Sequence, residues 1–372
     1  MKQNTAVLGL FLLFILPIII VSCSQSSSEP IKIGLAVNLS GRGGEAGESI
    51  RDGALLAVKE INEQGGIEGR RLELLVRDDE NNDEGIRKAD ESLIDNQVLA
   101  VIGHSYSANT IKAYPIVTAK NTVLITAYSA TNSLSKKDDL FLRTSVDCRL
   151  YGRKATKLLQ KKGISSVAFL MDMTNAAFAV DYVKSVKKYY SGKISTTRFF
   201  SRENTDWDQV AKTLLEPQPE AVFLLTEATM TAVILQELQS RKYQGIRLAT
   251  LWAQNPNLLK FAGRTAEGLS LISYIEPDNQ RQTYLEFSKK MVEKFKKPAS
   301  GRSVRSYSLV RILADALRRC PSINPAELKK SLLAGKYETL MGQVKFDQYG
   351  DVIRPVYEII VRDGRFQNNG EI

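Results

Sequence analysis

Apolar and polar positions come in blocks along this chain. IKIGLAV (31–37) is a short, nearly unbroken apolar run, the pattern of a strand buried on both faces. In the segment after it, Ile50, Ala54, Ala57, Val58 and Ile61 recur at i, i+4, i+7, i+8 and i+11. That is one face of a helix over Glu48 to Asn62, stopped by Gly65-Gly66. The alternation predicts a strand at 71–79, a helix at 83–95 and a strand at 98–103. A helix at 109–120 follows, kinked at Pro115, then a strand at 122–126. The pattern restarts with the helix DCRLYGRKATKLLQKKG, a strand at 165–172 and a helix at 179–190. ISTTRFF is a strand, DWDQVAKTLLE a helix, 220–226 a strand, MTAVILQELQSRKY a helix, and 246–252 and 269–275 are strands. Helices at about 281–296, 304–319 and 325–333 come last. The tail from Gly342 to Phe366 reads as β-hairpin material, with turns at 348–351 and at Asp363-Gly364. Strands alternating with helices build parallel sheets covered on both faces, so the fold class is α/β, in two successive units.

Open α/β sheets take ligands beyond the carboxyl ends of their strands. Those ends fall at 38–47, 104–109 and 127–132 in the first unit, and at 173–178, 227–229 and 253–257 in the second. Two such rims facing each other make a cleft. Ser105, Ser107, Ser129 and Thr131, with helix-start amides, furnish the first rim for a small anionic group such as a carboxylate. The same hydroxyls also suit helix and turn caps. Gly41, Gly43 and Ala46 match the G-x-G-x-x-G/A spacing of a dinucleotide-binding turn. The acid that should follow about 20 residues later at a strand end is absent; Asp78 and Asp79 lie farther on.

The amino end changes the picture. One Lys, an apolar stretch from Ala6 to Val21 broken by Pro17, then Ser22 and Cys23 read as a signal peptide over 1–22. Ile20-Val21-Ser22-Cys23 resembles the lipobox of bacterial lipoproteins, which implies lipidation at Cys23, a tether over 23–29 and a location in the periplasm or on the cell surface. Free dinucleotides are not expected there. The remaining residues suffice for two domains. Net charge is +10, but the basic residues are interspersed, with no zinc-finger spacing and no aromatic–basic stripe. Nucleic acid is therefore not an expected partner, while contact with anionic lipid near the tether is compatible with the charge. Cys148 and Cys320 lie in an oxidising compartment, and sequence leaves open whether they pair. His104 is the one histidine, and there is no G-x-S-x-G elbow, so neither an enzyme, nor a metal site, nor a cofactor is expected.

The segments GALLAVKEINEQGGIEGRRLELLVRDDENN, VLAVIGHSYSANT, SATNSL, FLRTS, TDWDQVAKTLL and FAGRTAEGL, in this order, resemble the leucine/isoleucine/valine-binding, type I periplasmic substrate-binding proteins of ABC importers. The resemblance runs from about Ile31 to Phe366. It implies two doubly wound parallel-sheet lobes joined by a three-crossover hinge, lobe one at 30–146 and 276–350, lobe two at 147–275 and 351–372. It implies a small-molecule ligand in the inter-lobe cleft, an amino acid or similar small carboxylate, delivered to ABC permease subunits. A ligand-sensing module for an amino acid, amide or urea, acting through a partner protein, is the alternative. The resemblance assigns the ligand carboxylate to Ser107, Ser129 and Thr131, with Tyr106 as a wall. AYSATN is one residue longer than the family pattern, which sets Tyr128 against Ser129 for the inward position. In lobe two DMTNAAF replaces the family's D-x-x-Y-G, leaving Phe178 as the substitute aromatic. No acid follows LATLWAQN, only Trp252 and Gln254. Glu227 is then either the partner of a ligand ammonium or an exposed loop acid.

Overall fold

The structure is a computed structural model that describes residues 29–201, 205–277 and 279–372. The expected signal peptide, the lipidation site Cys23 and the tether up to residue 28 lie outside the described residues.

The first sheet is wholly parallel. Its strands are β1 (Ile31–Val37), β2 (Leu72–Asp78), β3 (Ala100–Gly103), β4 (Val123–Thr126) and β5 (Phe141–Arg143), in the order β2-β1-β3-β4-β5. Helices α1 (Gly44–Glu63), α2 (Asp83–Asp95) and α3 (Ser107–Thr118) connect the first four. After β5 the chain crosses to a second unit through α4 (Cys148–Lys161). There β6 (Ser166–Asp172), α5 (Ala176–Tyr189), β7 (Lys193–Phe200), α6 (Trp207–Leu215), β8 (Ala221–Leu225), α7 (Ala228–Ser240), β9 (Ile246–Thr250), α8 (Pro256–Ala262) and β10 (Ser270–Ser273) follow one another. Helices α9 (Gln282–Phe295), α10 (Gly301–Leu317) and α11 (Pro325–Ala334) return to the first lobe, with the small hairpin β11 (Lys336–Thr339) and β12 (Gly342–Lys345). The last hairpin, β13 (Tyr357–Arg362) and β14 (Arg365–Glu371), adds antiparallel strands to the second sheet, giving the order β14-β13-β10-β9-β8-β6-β7.

The central strands are buried because they are apolar, and β3, β4 and β8 are buried at every position, while the edge strands β2, β7 and β14 carry polar residues and are partly exposed. The amphipathic face of α1 meets Leu309, Leu313 and Leu317 of α10 in one core above β1. Gly53 permits that approach: a Cβ there would lie 2.2 Å from the Ser303 carbonyl oxygen. In the second lobe α4 and α5 cover one face of the sheet, and α6, α7 and α8 cover the other.

The chain passes between the sheets three times: after β5, after β10, and between Val352 and Val356, which enter the first and second cores respectively. Arg143, fully buried at the first crossing, donates to Asp351 Oδ1 (2.8 Å) at the third and to the Thr131 carbonyl (2.7 Å), and also bonds Ser135. Cys148 sits in the second core and Cys320 in the first, so they are separate buried thiols and no disulfide joins them.

Most predicted elements form within a few residues of their expected ends. Three did not register in the hydrophobic pattern: β5, only three residues long; α8, a seven-residue helix capped by Asn255; and β11, with which the expected strand β12 pairs. Such short elements take their order from neighbours rather than from periodicity.

Candidate functional site

The carboxyl ends of both sheets face one cleft, and it is closed. Ala108 N donates to Asn175 Oδ1 (3.4 Å), and Thr131 Oγ1 and Asn132 N donate to Asp181 (2.6 and 2.7 Å). At the mouth Asn257 Nδ2 donates to the Glu45 carboxylate (3.2 Å), and the Tyr106 and Trp252 rings meet edge to face. Behind these contacts lies a cavity with about 70 Å³ open to the centre of a water-sized sphere. Roughly 10–15 Å³ on that measure seats one water, so the space suits a small organic molecule and not a peptide.

Six aromatic side chains wall it: Tyr106, Tyr128, Tyr151, Phe178, Trp252 and Tyr274. Phe178 stands edge-on between Trp252 (5.8 Å) and Tyr182 (5.6 Å). The charged residues of the wall are Arg302 and Arg305; no acid is among the lining residues. Arg305 is fixed by the Gly301 carbonyl (2.9 Å), the Ala127 carbonyl (3.0 Å) and the Tyr128 ring beneath its guanidinium (4.5 Å). Arg302 makes no ion pair among the described residues. Burial lowers its pKa, partly offset by Tyr106 and Glu227 nearby. Arg302 is half-buried and Glu227 is near it only on the outer side of the cleft, so its face toward the cavity is set to attract an anion.

The backbone adds to the same charge. The first turns of α1, α3, α5 and α10 reach the wall through Gly43 and Ala46, Tyr106, Asn175 and Phe178, and Gly301 and Arg302. The N-cap residue of none of the first three makes a side-chain cap, although Ala108 N of α3 donates to Asn175 Oδ1 and Gly44 N of α1 to the Gly41 carbonyl; the positive ends of these helix dipoles still point at the cleft. The glycine-rich loop after β1 is thus a helix start on the cleft. Gly47 lets α1 sit directly on the β1 end, since a Cβ there would lie 1.7 Å from the Asn38 carbonyl oxygen. Two polar atoms on lining residues are buried without a partner among the described residues, Ser105 Oγ and Gln254 Oε1. The Gln254 amide nitrogen donates to the Ile275 carbonyl (3.1 Å), which leaves its oxygen as a free acceptor.

Beneath the loop that carries Ser105 and Tyr106 lies a buried ionic cluster. His104, fully buried, sets Nδ1 2.6 Å from Asp79 Oδ2 and Nε2 3.2 Å from Asp90 Oδ1. Burial alone would lower its pKa; the charge of Asp90 and the hydrogen bond to Asp79 override this and raise it to about 9. Burial would raise the Asp79 carboxyl, but the His104 contact holds it below its ordinary value.

The structure divides the residues expected from sequence. Tyr106, Tyr128, Phe178 and Trp252 line the cavity. Ser107 does not: its Oγ accepts from Ala130 N (3.1 Å) at the start of α3. Thr131 does not either, because its hydroxyl is bonded to Asp181 and caps the short turn at Ser133. Ser129 is turned into the protein, its hydroxyl buried without a partner, while Tyr128 takes the inward position and donates to the Arg302 carbonyl (2.9 Å). Glu227 caps α7, accepting from Thr229 N (3.0 Å) and Met230 N (3.1 Å). It lies in the outer depression of the cleft beside Arg302 rather than on the cavity wall. Sequence reasoning missed Arg302 and Arg305. The available signal was R-x-x-R at the start of an apolar helix, which puts both on one face.

Residues 30–365 match the model of the periplasmic binding protein family. The chain is 22% identical over 331 residues to a leucine-, isoleucine-, valine-, threonine- and alanine-binding protein of Pseudomonas aeruginosa, covering 88% of each. It superposes on the branched-chain amino acid transporter substrate binding protein of Streptococcus pneumoniae in complex with isoleucine. That match has a TM-score of 0.83 and 21% identity, over 92% of this chain and 100% of that one. It also superposes on an ABC transporter solute binding protein of R. palustris in complex with benzoate, with a TM-score of 0.81 and 16% identity, over 92% and 96% of the two chains. At these identities the structural likenesses show the type I fold of two parallel-sheet lobes.

Proposed function

This chain belongs to the periplasmic binding protein family, and we propose that it closes on a small aromatic carboxylate and hands it to an ABC permease. It is a binding protein and not an enzyme. The observation that carries the ligand class is the cavity wall: two arginines, four helix amino ends, six aromatic rings and no acid. A free amino acid would bury its ammonium there without a counter-charge, at a cost of several kcal/mol. A planar carboxylate meets Arg302 and the helix amides at one end and the rings elsewhere. The ligand named for the R. palustris protein is of this class. Ser105 Oγ and Gln254 Oε1 favour a ring that also carries a hydroxyl, Gln254 accepting from it. Anchoring through Cys23 at a membrane surface belongs to the same proposal.

The test is thermal unfolding of residues 29–372 against benzoate, hydroxybenzoates and the 20 amino acids. Ligand at a thousand times its dissociation constant stabilises by about 4 kcal/mol. A shift with the benzoates and none with the amino acids is expected. A shift with leucine or isoleucine and none with any benzoate would overturn the assignment.

A further inference from the structure

Outside the cleft, one segment of the second lobe carries a large excess of positive charge. Residues 148–200 hold eleven Lys and Arg against two carboxylates, Asp172 and Asp181. Asp172 is fully buried, and Asp181 is engaged by Thr131 and Asn132 across the cleft. On α4, Arg153, Lys157 and Lys161 recur at i, i+4 and i+8 as one exposed stripe. On α5, Lys184, Lys187 and Lys188 are exposed. The two helices lie side by side, Gly152 against Ser185. None of these six cations forms an ion pair among the described residues, whereas their neighbours Lys154 and Lys162 are paired with Glu371 and Glu358.

A large apolar side chain stands at the margin of this face. Phe199 is 69% exposed on β7, an edge strand. It is in register with Met171, whose side chain enters the core beneath α4 and α5, so Phe199 projects on their side of the sheet. Shaped protein interfaces are depleted in lysine. Five lysines and one arginine over two helices, with an exposed aromatic on the same side of the sheet, instead suit a fluid anionic surface that accepts any arrangement of cations and takes a ring at headgroup depth.

We propose that the α4–α5 face of the second lobe docks on anionic phospholipid bilayers. The contact is made by the folded lobes and is independent of any acyl anchor at Cys23.

Co-sedimentation of residues 29–372, which contain every described element of both lobes, with phosphatidylcholine vesicles with and without phosphatidylglycerol tests this. Binding to the anionic vesicles at low salt, release by added salt and no binding to pure phosphatidylcholine are expected. Each lysine near an anionic bilayer strengthens binding about five-fold, so the triple variant Lys157→Glu, Lys161→Glu and Lys187→Glu should bind about a hundred-fold more weakly or worse. Its melting midpoint and its response to cleft ligands should not change, because all three residues are exposed and remote from the cavity. Phe199→Ala should weaken binding several-fold. Equal binding to neutral vesicles, or undiminished binding of the triple variant, would overturn the proposal. So would failure of the unaltered chain to bind anionic vesicles, which would leave the face to an acidic protein surface.

Discussion

The buried His104 cluster makes a quantitative prediction about pH. The perturbation is titration itself, with Asp90→Asn as its control. An unfolded histidine titrates near pH 6.5, and the folded one near about 9. The folded pKa is the higher, so the stabilising term is fully present below about pH 6.5 and is lost as pH rises through about 9. The difference of about 2.5 units, at 1.36 kcal/mol each, amounts to about 3 kcal/mol. His104 is fully buried, so no solvent screening reduces this. It is also the single histidine of the chain, so one set of imidazole resonances reports it without assignment ambiguity. NMR titration of residues 29–372 should show the ring protonated through pH 8. Denaturant unfolding should show stability falling by about 3 kcal/mol across the window from about 6.5 to 9. Asp90→Asn removes the largest raising influence, so it should bring the midpoint down and flatten the slope. A ring that titrates at or below pH 6.5 in the folded protein, or a variant with an undiminished slope, would refute the reasoning.

Other expectations follow from single contacts. Arg302→Gln should reduce affinity for benzoate at least 30-fold in calorimetry while the unliganded melting point holds, because the half-buried Arg302 makes no ion pair among the described residues for the fold to lose. Gln254→Leu should weaken binding of a hydroxybenzoate about ten-fold and of benzoate far less, since only the former supplies a donor to Oε1. Arg143→Met should cost about 3–5 kcal/mol in denaturant unfolding, because Asp351 loses its buried partner. Gly47→Ala should cost about 1–3 kcal/mol and weaken ligand binding together with stability, as α1 is forced off the Asn38 carbonyl.

The two-sheet architecture was legible because buried parallel strands and amphipathic helices leave different periods, and Ile31–Val37 and Glu48–Asn62 show both in quick succession. The rims were legible for the same reason: once strand ends are known, Asn38, Ser105, Tyr106, Tyr128 and Phe178 fall on them. Side-chain direction was not. Ser107 and Thr131 stand where hydroxyls were expected, each next to a lining residue, but their hydroxyls are already bonded to backbone or to Asp181. Glu227 found two amide donors of its own helix, a local choice that competes with any ligand. Arg302 and Arg305 were hidden because α10 comes after all the parallel strands of both sheets. Only its packing on α1, allowed by Gly53, brings its amino end to a cleft built by residues far earlier in the chain.

The convergence of helix amino ends also bears on how the protein rests. Three of the four belong to the first lobe, as do both arginines, and the fourth, α5, comes at them from the second. Shutting the cleft with nothing inside presses positive potential against positive potential in a confined, poorly solvated space. Closure should therefore be weaker without an anion than with one, because this repulsion opposes the bonds of Asp181 to Thr131 and Asn132 that join the lobes. A bound anion supplies the missing negative charge and turns mutual repulsion into shared attraction, so the closed shape itself becomes the signal that cargo is aboard.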